Sequence, residues 1–216
     1  MKRILFTALA GSLILTGCSE GSNSEKSGAG ETELKSESVV RYQVDPKAVS
    51  VKWTAFKFTD RAGVGGQMDS IMVSFGEPAA TAVEVLRGVK VMLPAAGINS
   101  QNPDRDEKII DNVFGGFDLP AIVARVANVN GDEVSGEAEV LVQMNNAEKA
   151  VMFTYSISGS EITLNGNLDF TDWNALSGVE ALNKVCYDLH KGADGVSKLW
   201  PDVDVEVKAV LTTVAD

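Results

Sequence analysis

His190 decides which catalytic chemistry is open to this chain, because the sequence contains only one histidine. Any nucleophile–base arrangement must therefore be built around His190. Cys186 lies four residues earlier on a predicted helix, a spacing at which two side chains can meet. The thiol falls on the apolar stripe of that helix, so we interpret Cys186 as a small core residue and His190 as a residue at a helix end. The sequence predicts no enzymatic activity.

The glycines and aspartates do not form a recognisable phosphate or metal site. Gly63, Gly65 and Gly66 lack the strand-to-helix context of a phosphate-binding loop, so we interpret them as a turn between strands. The aspartates between positions 104 and 111 do not have the spacing of a calcium loop. We expect no metal and no cofactor other than a possible bound ligand.

Cys18 is the second residue with a predicted chemistry, and that chemistry is acylation. Two basic residues precede an apolar run over residues 4–15, and the composition turns polar directly after Cys18. This order is typical of a secretory signal peptide, and the run is shorter than the roughly 20 residues that span a bilayer. Residues 15–18 (LTGC) resemble the lipobox of bacterial lipoproteins.

This resemblance implies that residues 1–17 are removed and that Cys18 receives acyl chains such as palmitate, which hold the protein on a membrane. Residues 18–40 are rich in Ser, Gly and Glu and are predicted to be a flexible tether. Ser19, where inner-membrane lipoproteins commonly carry Asp, favours the outer membrane and a periplasmic domain. We therefore expect a lipid-anchored protein of the bacterial cell envelope.

Composition narrows the partners of the remaining segment, residues 41–216. The formal net charge is −11, which argues against nucleic acid because phosphate contacts need Lys and Arg. With Cys18 acylated, Cys186 has no disulfide partner within the chain. The segment is long enough to form one well-buried domain.

The elements that must position any site are mostly strands, because apolar and polar residues alternate with period two. About eight such segments are separated by Gly, Asn, Asp and Pro, which predicts a mainly β antiparallel fold, either a sandwich or a closed barrel. The predicted strands cover residues 49–58, 68–75, 83–93, 121–129, 133–144, 151–157, 162–170 and 203–211.

Two short helices are predicted to interrupt the strands. Asp104 and Glu107 have the spacing of a capping box before an apolar segment that ends at Gly115. Ser177 and Glu180 have the same spacing before the helix that carries Cys186.

Several segments together resemble the YceI-like family of envelope proteins, which have a lipocalin-like antiparallel barrel. Their order and spacing, rather than any single motif, carry the resemblance over residues 41–214. The segments are residues 42–46 (YQVDP), 53–58 (WTAFKF), 98–100 (INS), 102–106 (NPDRD), 118–120 (DLP), 168–173 (LDFTDW) and 182–192 (LNKVCYDLHKG). Many members of the family are simple secreted proteins, so the lipobox is a departure from its pattern.

The resemblance implies that the barrel lumen binds a polyisoprenoid or a similar amphiphilic lipid, such as an isoprenoid quinone. The expected lumen residues are aromatic: Trp53, Phe56, Phe58, Phe75, Phe153, Tyr155, Phe170 and Trp173. Trp53 and the two phenylalanines Phe56 and Phe58 differ in parity, so a bulge is expected between them, with either Trp53 or the phenylalanines outside. Possible headgroup contacts are Asn99, Ser100 and Arg105.

Two other functions remain open on the sequence. One is a structural or interaction module whose barrel is filled by its own side chains. The other is a hydrolase or isomerase that acts on lipids through His190.

Overall fold

Eleven strands form one antiparallel sheet within residues 40–215, which are the residues that this computed structural model describes. The predicted signal peptide, Cys18 and nearly all of the predicted tether lie outside the described residues. The strands are β1 (Val40–Val44), β2 (Ser50–Lys57), β3 (Ala62–Met68), β4 (Met72–Ser74), β5 (Lys90–Pro94), β6 (Ile98–Asn99), β7 (Ala121–Gly131), β8 (Ser135–Met144), β9 (Ala147–Ser158), β10 (Glu161–Asp169) and β11 (Leu199–Ala215).

The order of the strands bends the sheet into a barrel. Neighbouring strands pair in the order β4-β5-β7-β8-β9-β10-β11-β2-β3-β6, and β1 adds to β11. The path ends at β4 and at β6. Along the chain β4 continues β3 and β6 continues β5, so the two ends of the sheet come together and the barrel closes. The β3–β4 arm therefore pairs with the β5–β6 arm, and the Asp69 amide donates to the Gly97 carbonyl between the two short ladders at 2.7 Å. If each arm is counted as one strand, the barrel wall has eight strands, the number that the sequence predicts.

Buried and exposed side chains alternate along the strands, so one face of each strand points into the interior, as is typical of a barrel. On β9, Phe153 and Tyr155 are buried, whereas Met152, Thr154 and Ser156 are exposed. The predicted mainly β antiparallel fold is confirmed.

Three α-helices accompany the sheet: α1 (Ala82–Leu86), α2 (Pro103–Ile109) and α3 (Leu176–Val185). A π-helical turn, Ile110–Phe114, continues α2, and single 3-10 turns span Phe170–Trp173 and Tyr187–His190. Both helices predicted from the sequence are present, but their predicted caps are wrong. Asn102 caps α2 by accepting a hydrogen bond from the Arg105 amide, and α3 begins after Ala175 without a side-chain cap.

Two predicted elements are of a different kind in the structure. The segment 83–93, predicted as one strand, contains α1 and β5, because Thr81 caps a helical turn and Gly88 adopts a positive φ of 74° that ends it. The glycines at 63, 65 and 66, predicted as a turn, lie within β3 and pair with β2. The true turn is formed by residues 58–61, where Phe58 and Arg61 have positive φ.

Candidate binding cavity

A cavity of about 230 Å³ lies inside the barrel. All eight strands of the barrel wall contribute residues to its lining. The helices α1, α2 and α3 and the π-helical turn contribute at the barrel ends. Its lining residues are Val44, Val49, Val51, Trp53, Ala55, Met68, Val73, Phe75, Leu86, Val89, Val91, Leu93, Ala95, Ile98, Ile109, Val113, Phe114, Ile122, Ala124, Arg125, Val126, Val140, Val142, Phe153, Leu164, Leu168, Phe170, Val179, Leu182, Leu199, Trp200, Pro201, Val203, Val205, Val207 and Ala209.

Arg125 is the one charged residue in this lining. It lies between Ala124 and Val126, which line the cavity, and it pairs in register with Lys90 and Leu141. By the alternation of β7, its side chain falls on the outer face of the sheet, so only its backbone borders the cavity. The cavity is therefore apolar along its whole length and offers an occupant dispersion contacts and removal from water.

Trp53 lies flat against the barrel wall because its cross-strand neighbour is a glycine. Trp53 and Gly66 are paired in register on β2 and β3. A Cβ added at Gly66 would overlap the Trp53 indole ring. The indole Nε1 donates to the Gln67 carbonyl at 3.3 Å, which holds the ring along β3 rather than across the lumen.

The same arrangement recurs at two other aromatic side chains. A Cβ at Gly166 on β10 would lie 2.6 Å from Cε1 of Phe153. A Cβ at Gly136 on β8 would lie 2.7 Å from Cε1 of Tyr155, its partner in register. In each pair, the missing side chain gives the aromatic ring a place on the wall.

Four of the eight aromatic residues expected in the lumen line the cavity: Trp53, Phe75, Phe153 and Phe170. Tyr155 and Trp173 are buried but do not border the cavity, because hydrogen bonds hold them at the barrel wall. The Tyr155 hydroxyl donates to the Asp132 carbonyl at 2.8 Å, and Trp173 Nε1 donates to the Val142 carbonyl at 2.9 Å.

Phe56 and Phe58 do not line the cavity. The expected bulge in β2 is absent, since β2 pairs with β3 in unbroken register from Lys52 to Lys57. Trp53 therefore faces inward and Phe56 outward, which is one of the two arrangements that the sequence left open. The Arg61 guanidinium lies 4.3 Å from the Phe56 ring centre, and Lys57 Nζ lies 4.5 Å from that of Phe58.

The expected headgroup residues lie beside one another but outside the cavity lining. The Asn99 amide donates to Asp69 at 2.6 Å and accepts from the Gln101 amide at 2.8 Å, so both of its ends are used within the protein. Ser100 is buried, and its backbone amide donates to Asp106 at 2.9 Å. Arg105 is half-buried in the first turn of α2.

Trp200 is a cavity residue that the sequence analysis missed. Its Nε1 donates to the Phe58 carbonyl at 2.8 Å, and the cationic groups of Arg61 and Lys198 lie 4.6 Å and 3.8 Å from its ring centre. Pro201 interrupts the period-two pattern at this point, and the pairing of β11 with β2 is irregular between Leu199 and Val203. Extending the alternation backward from Val203 would not have placed Trp200 at the cavity.

Charge pairing fixes this end of the barrel. Arg61 donates two hydrogen bonds to the Asp202 carboxylate, at 3.1 and 2.6 Å. The hydrogen bond from Arg61 is the main reason why the pKa of Asp202 lies below its usual value, and a hydrogen bond from Asn167 acts in the same direction. The pair holds the β2–β3 turn against the start of β11.

The arrangement around His190 does not resemble a nucleophile–base pair. His190 Nδ1 is 2.9 Å from the side-chain oxygen of Asn183, and Cys186 is buried in the core. Burial, and secondarily Lys57, lower the pKa of His190, so the imidazole is uncharged at neutral pH. The lowered pKa argues against a charged histidine that stabilises the helix end.

Within residues 40–215, no helix is both long enough and apolar enough to cross a bilayer. The same part of the chain contains no group of three or more His, Cys, Asp or Glu side chains placed to hold a metal ion.

A family model for the YceI-like domain matches residues 42–211. The chain belongs to the YceI-like family. This domain contains all of the cavity and ends within β11, so the described barrel is the family's domain. A comparison with curated proteins found no match.

Solved structures similar to this YceI-like chain have the same fold at low sequence identity. A polyisoprenoid-binding domain from Saccharophagus degradans, implicated in plant cell wall breakdown, is 11% identical with a TM-score of 0.56, over 83% of this chain and 100% of that one. BcnA from Burkholderia cenocepacia is 11% identical with a TM-score of 0.54, over 78% and 99%. The Campylobacter jejuni YCEI protein is 14% identical with a TM-score of 0.51, over 74% and 89%.

Proposed function

We propose that this protein binds the hydrocarbon tail of an amphiphilic lipid, of the isoprenoid or isoprenoid-quinone type, inside the barrel and catalyses no reaction on it. The observation that carries the proposal is a cavity lined by apolar side chains throughout, with the Arg125 side chain on the outer face. Such a lumen can bury a hydrocarbon chain but has no polar group to recognise a headgroup. The similarity to a polyisoprenoid-binding domain supports the same ligand class.

The volume of the cavity sets how much of the tail it holds. A cavity of about 150 Å³ accommodates benzene, so a cavity of about 230 Å³ corresponds to roughly nine or ten carbon atoms. That is about two isoprene units. The headgroup then lies outside the lumen, and a quinone and a simple prenol would differ little in how their tails are bound.

The second candidate function is a structural or interaction module without a lipid ligand. It is favoured by the same volume, because small-molecule sites usually measure about 300–1,000 Å³ and this cavity is smaller. The two candidates differ in one measurable property, namely whether a prenol binds inside the barrel.

Calorimetric titration of the detergent-solubilised full chain with prenols of increasing length tests the proposal. Affinity should rise by about 0.8 kcal/mol per buried methylene up to about ten carbons and by less per methylene beyond that length. Ala124→Phe places a ring in the cavity and should abolish binding. The matched control is Val123→Phe on the outer face of the same strand, which should bind as the unaltered chain does. Equal prenol affinity in the two folded variants would rule out binding in the lumen.

The membrane anchor is a separate part of the proposal, and its support is in the sequence. The apolar run and the LTGC segment favour acylation of Cys18 and attachment to the outer membrane, with the barrel in the periplasm. A tether of about 20 residues would reach roughly 25 Å by random-coil scaling. The barrel could then contact the membrane that supplies its ligand.

A further inference from the structure

Four exposed apolar side chains lie close together in the sequence near the end of α3. Val185, Tyr187, Leu189 and Val196 are 55%, 51%, 62% and 48% exposed. Of the other large exposed apolar residues of the described chain, Leu176 lies at the opposite end of α3 and the rest are spread over separate strands and loops. Exposed apolar groups that cluster in this way mark surfaces that bind a partner or a membrane. We call these four residues the apolar patch.

Hydrogen bonds hold the two segments of the apolar patch beside each other. The Lys198 amide donates to the His190 carbonyl at 3.0 Å, and the Gly192 amide donates to the Val196 carbonyl at 2.9 Å. Lys191 and Ser197 form an antiparallel bridge, and the Asn183 side chain reaches the Ser197 carbonyl from α3 at 3.4 Å. The apolar patch is therefore carried by an ordered hairpin packed on a helix.

The apolar patch is connected to one end of the cavity. Lys57, the last residue of β2, donates from Nζ to the Leu189 carbonyl at 3.2 Å. Lys198 Nζ lies 3.8 Å from the ring centre of Trp200, and Trp200 lines the cavity. A membrane that contacts the apolar patch would lie near the Trp200 end of the lumen.

The charges around the apolar patch fit an anionic lipid surface better than the rest of the protein does. Lysines 184, 191 and 198 and Lys57 border it, whereas the whole chain has a net charge of −11. The acidic residues of the same segment are Asp188 and Asp194, and Asp194 accepts hydrogen bonds from the Thr59 hydroxyl and the Val196 amide. Lysine stems and a tyrosine ring can lie along apolar surface while their polar ends stay in the headgroup region.

We infer that the apolar patch is a docking surface for a bilayer containing anionic phospholipid. Val185, Tyr187, Leu189 and Val196 enter the boundary between headgroups and acyl chains, and the bordering lysines meet lipid phosphates. Docking in this orientation brings the Trp200 end of the cavity to the hydrocarbon, so that a tail can pass into the barrel without crossing water. The inference rests on the proposed lipid-binding function for its purpose but on its own observations for its geometry.

The test compares two labelled positions on the full chain held in vesicles by its own N-terminal segment. An environment-sensitive fluorophore is attached to Leu189→Cys or to the control Val134→Cys, which is 65% exposed on the β7–β8 connection. Cys186 is buried and stays unlabelled, and the proposed acylation blocks the thiol of Cys18. In vesicles of phosphatidylcholine and phosphatidylglycerol, emission at position 189 should shift to shorter wavelength and be quenched by brominated lipid. Emission at position 134 should do neither. Equal behaviour at the two positions would overturn the inference.

A second comparison separates docking from ligand binding. Leu189→Glu with Val196→Glu should abolish the shift measured from a fluorophore at Tyr187→Cys, whereas Met152→Glu on the outer face of β9 should leave it unchanged. The glutamate variant should bind prenols in detergent with unchanged affinity. If the unaltered chain docks on vesicles but binds no prenol, the proposed lipid-binding function is wrong and the docking inference stands. A shift at position 189 that requires an added protein rather than lipid would also overturn the inference.

Discussion

At the scale of single residues, the packing of the barrel wall depends on side chains that are missing. Trp53, Phe153 and Tyr155 each lie over a glycine on a neighbouring strand, at positions 66, 166 and 136. Glycine in a strand usually lowers stability, because it has no side chain to pack and loses more conformational freedom on folding. Here the aromatic ring covers the glycine, so the wall stays packed while the lumen stays open.

Gly66→Ala is expected to destabilise the barrel because the new methyl group overlaps the Trp53 ring. Overpacking of this kind costs about 1–3 kcal/mol of unfolding free energy, measurable by urea denaturation. Gly65→Ala on the same strand is the matched control, since a Cβ there is 3.7 Å from its nearest neighbour, the Trp53 carbonyl oxygen. The control should be neutral or slightly stabilising, and equal losses in both variants would contradict the role given to Gly66.

His190 should make the stability of the barrel depend on pH in the weakly acidic range. Its pKa is lowered by burial in the folded state, whereas the unfolded value is near 6.5. As the pH falls below about 6.5, the unfolded chain takes up the proton more readily, so the free energy of unfolding decreases. Its contribution is fully present only above that pH.

Urea midpoints measured between pH 7.5 and pH 5.5 would check this expectation, and His190→Gln should flatten their dependence on pH. The lowered pKa values of Asp69, Asp132, Asp194 and Asp202 affect stability in a more acidic range, near and below their usual value. An unchanged slope in the glutamine variant would show that another group titrates.

At the scale of elements, the start of α2 is determined by Asn102 rather than by Asp104. The Asn102 side chain accepts from the Arg105 amide at 3.1 Å, and Pro103 occupies the first turn, where its missing amide hydrogen has no cost. Asn102→Ala should lower the unfolding free energy by about 1 kcal/mol. The control is Asp104→Ala, which removes only a charge near the helix start. Both variants are compared by thermal denaturation. A larger loss of unfolding free energy in Asp104→Ala than in Asn102→Ala would show that Asp104 is the capping residue.

The strands were predictable from the sequence wherever one face is apolar and the other polar, as on β8, β9 and β10. The pattern fails where tertiary packing replaces it. Val83 and Val85 alternate like strand residues but belong to α1. The glycines of β3 have no side chain to show a pattern, and only the structure shows that the Trp53 ring covers Gly66. Parity alone identified Phe153 but left open whether Trp53 or Phe56 faces outward, because the sequence does not show whether β2 contains a bulge.

At the scale of the whole molecule, the predicted anchor makes attachment to the membrane independent of the folding of the barrel. Cys18→Ala should release the protein from membranes after a salt wash while the near-ultraviolet circular dichroism of the barrel stays unchanged, because residue 18 precedes the first described strand. Cys186→Ala is the matched control, since it removes the other cysteine, which is buried, and should leave the protein attached. Unchanged membrane association in the first variant would exclude the acyl anchor.

The barrel is closed by two short ladders, and we call this part of the wall the seam. The seam is expected to open more easily than the rest of the wall. β8–β9 and β10–β11 are joined by long continuous ladders. The β3–β4 and β5–β6 arms are joined by short ladders at Gln67–Met68 and Met72–Ser74, with the Asp69–Gly97 hydrogen bond between them. Backbone amides at this seam should exchange their hydrogens with solvent long before those of β8 and β9, because few bonds must break to open it. A barrel closed in this way yields first at the seam, with the remaining strands acting as a fixed trough.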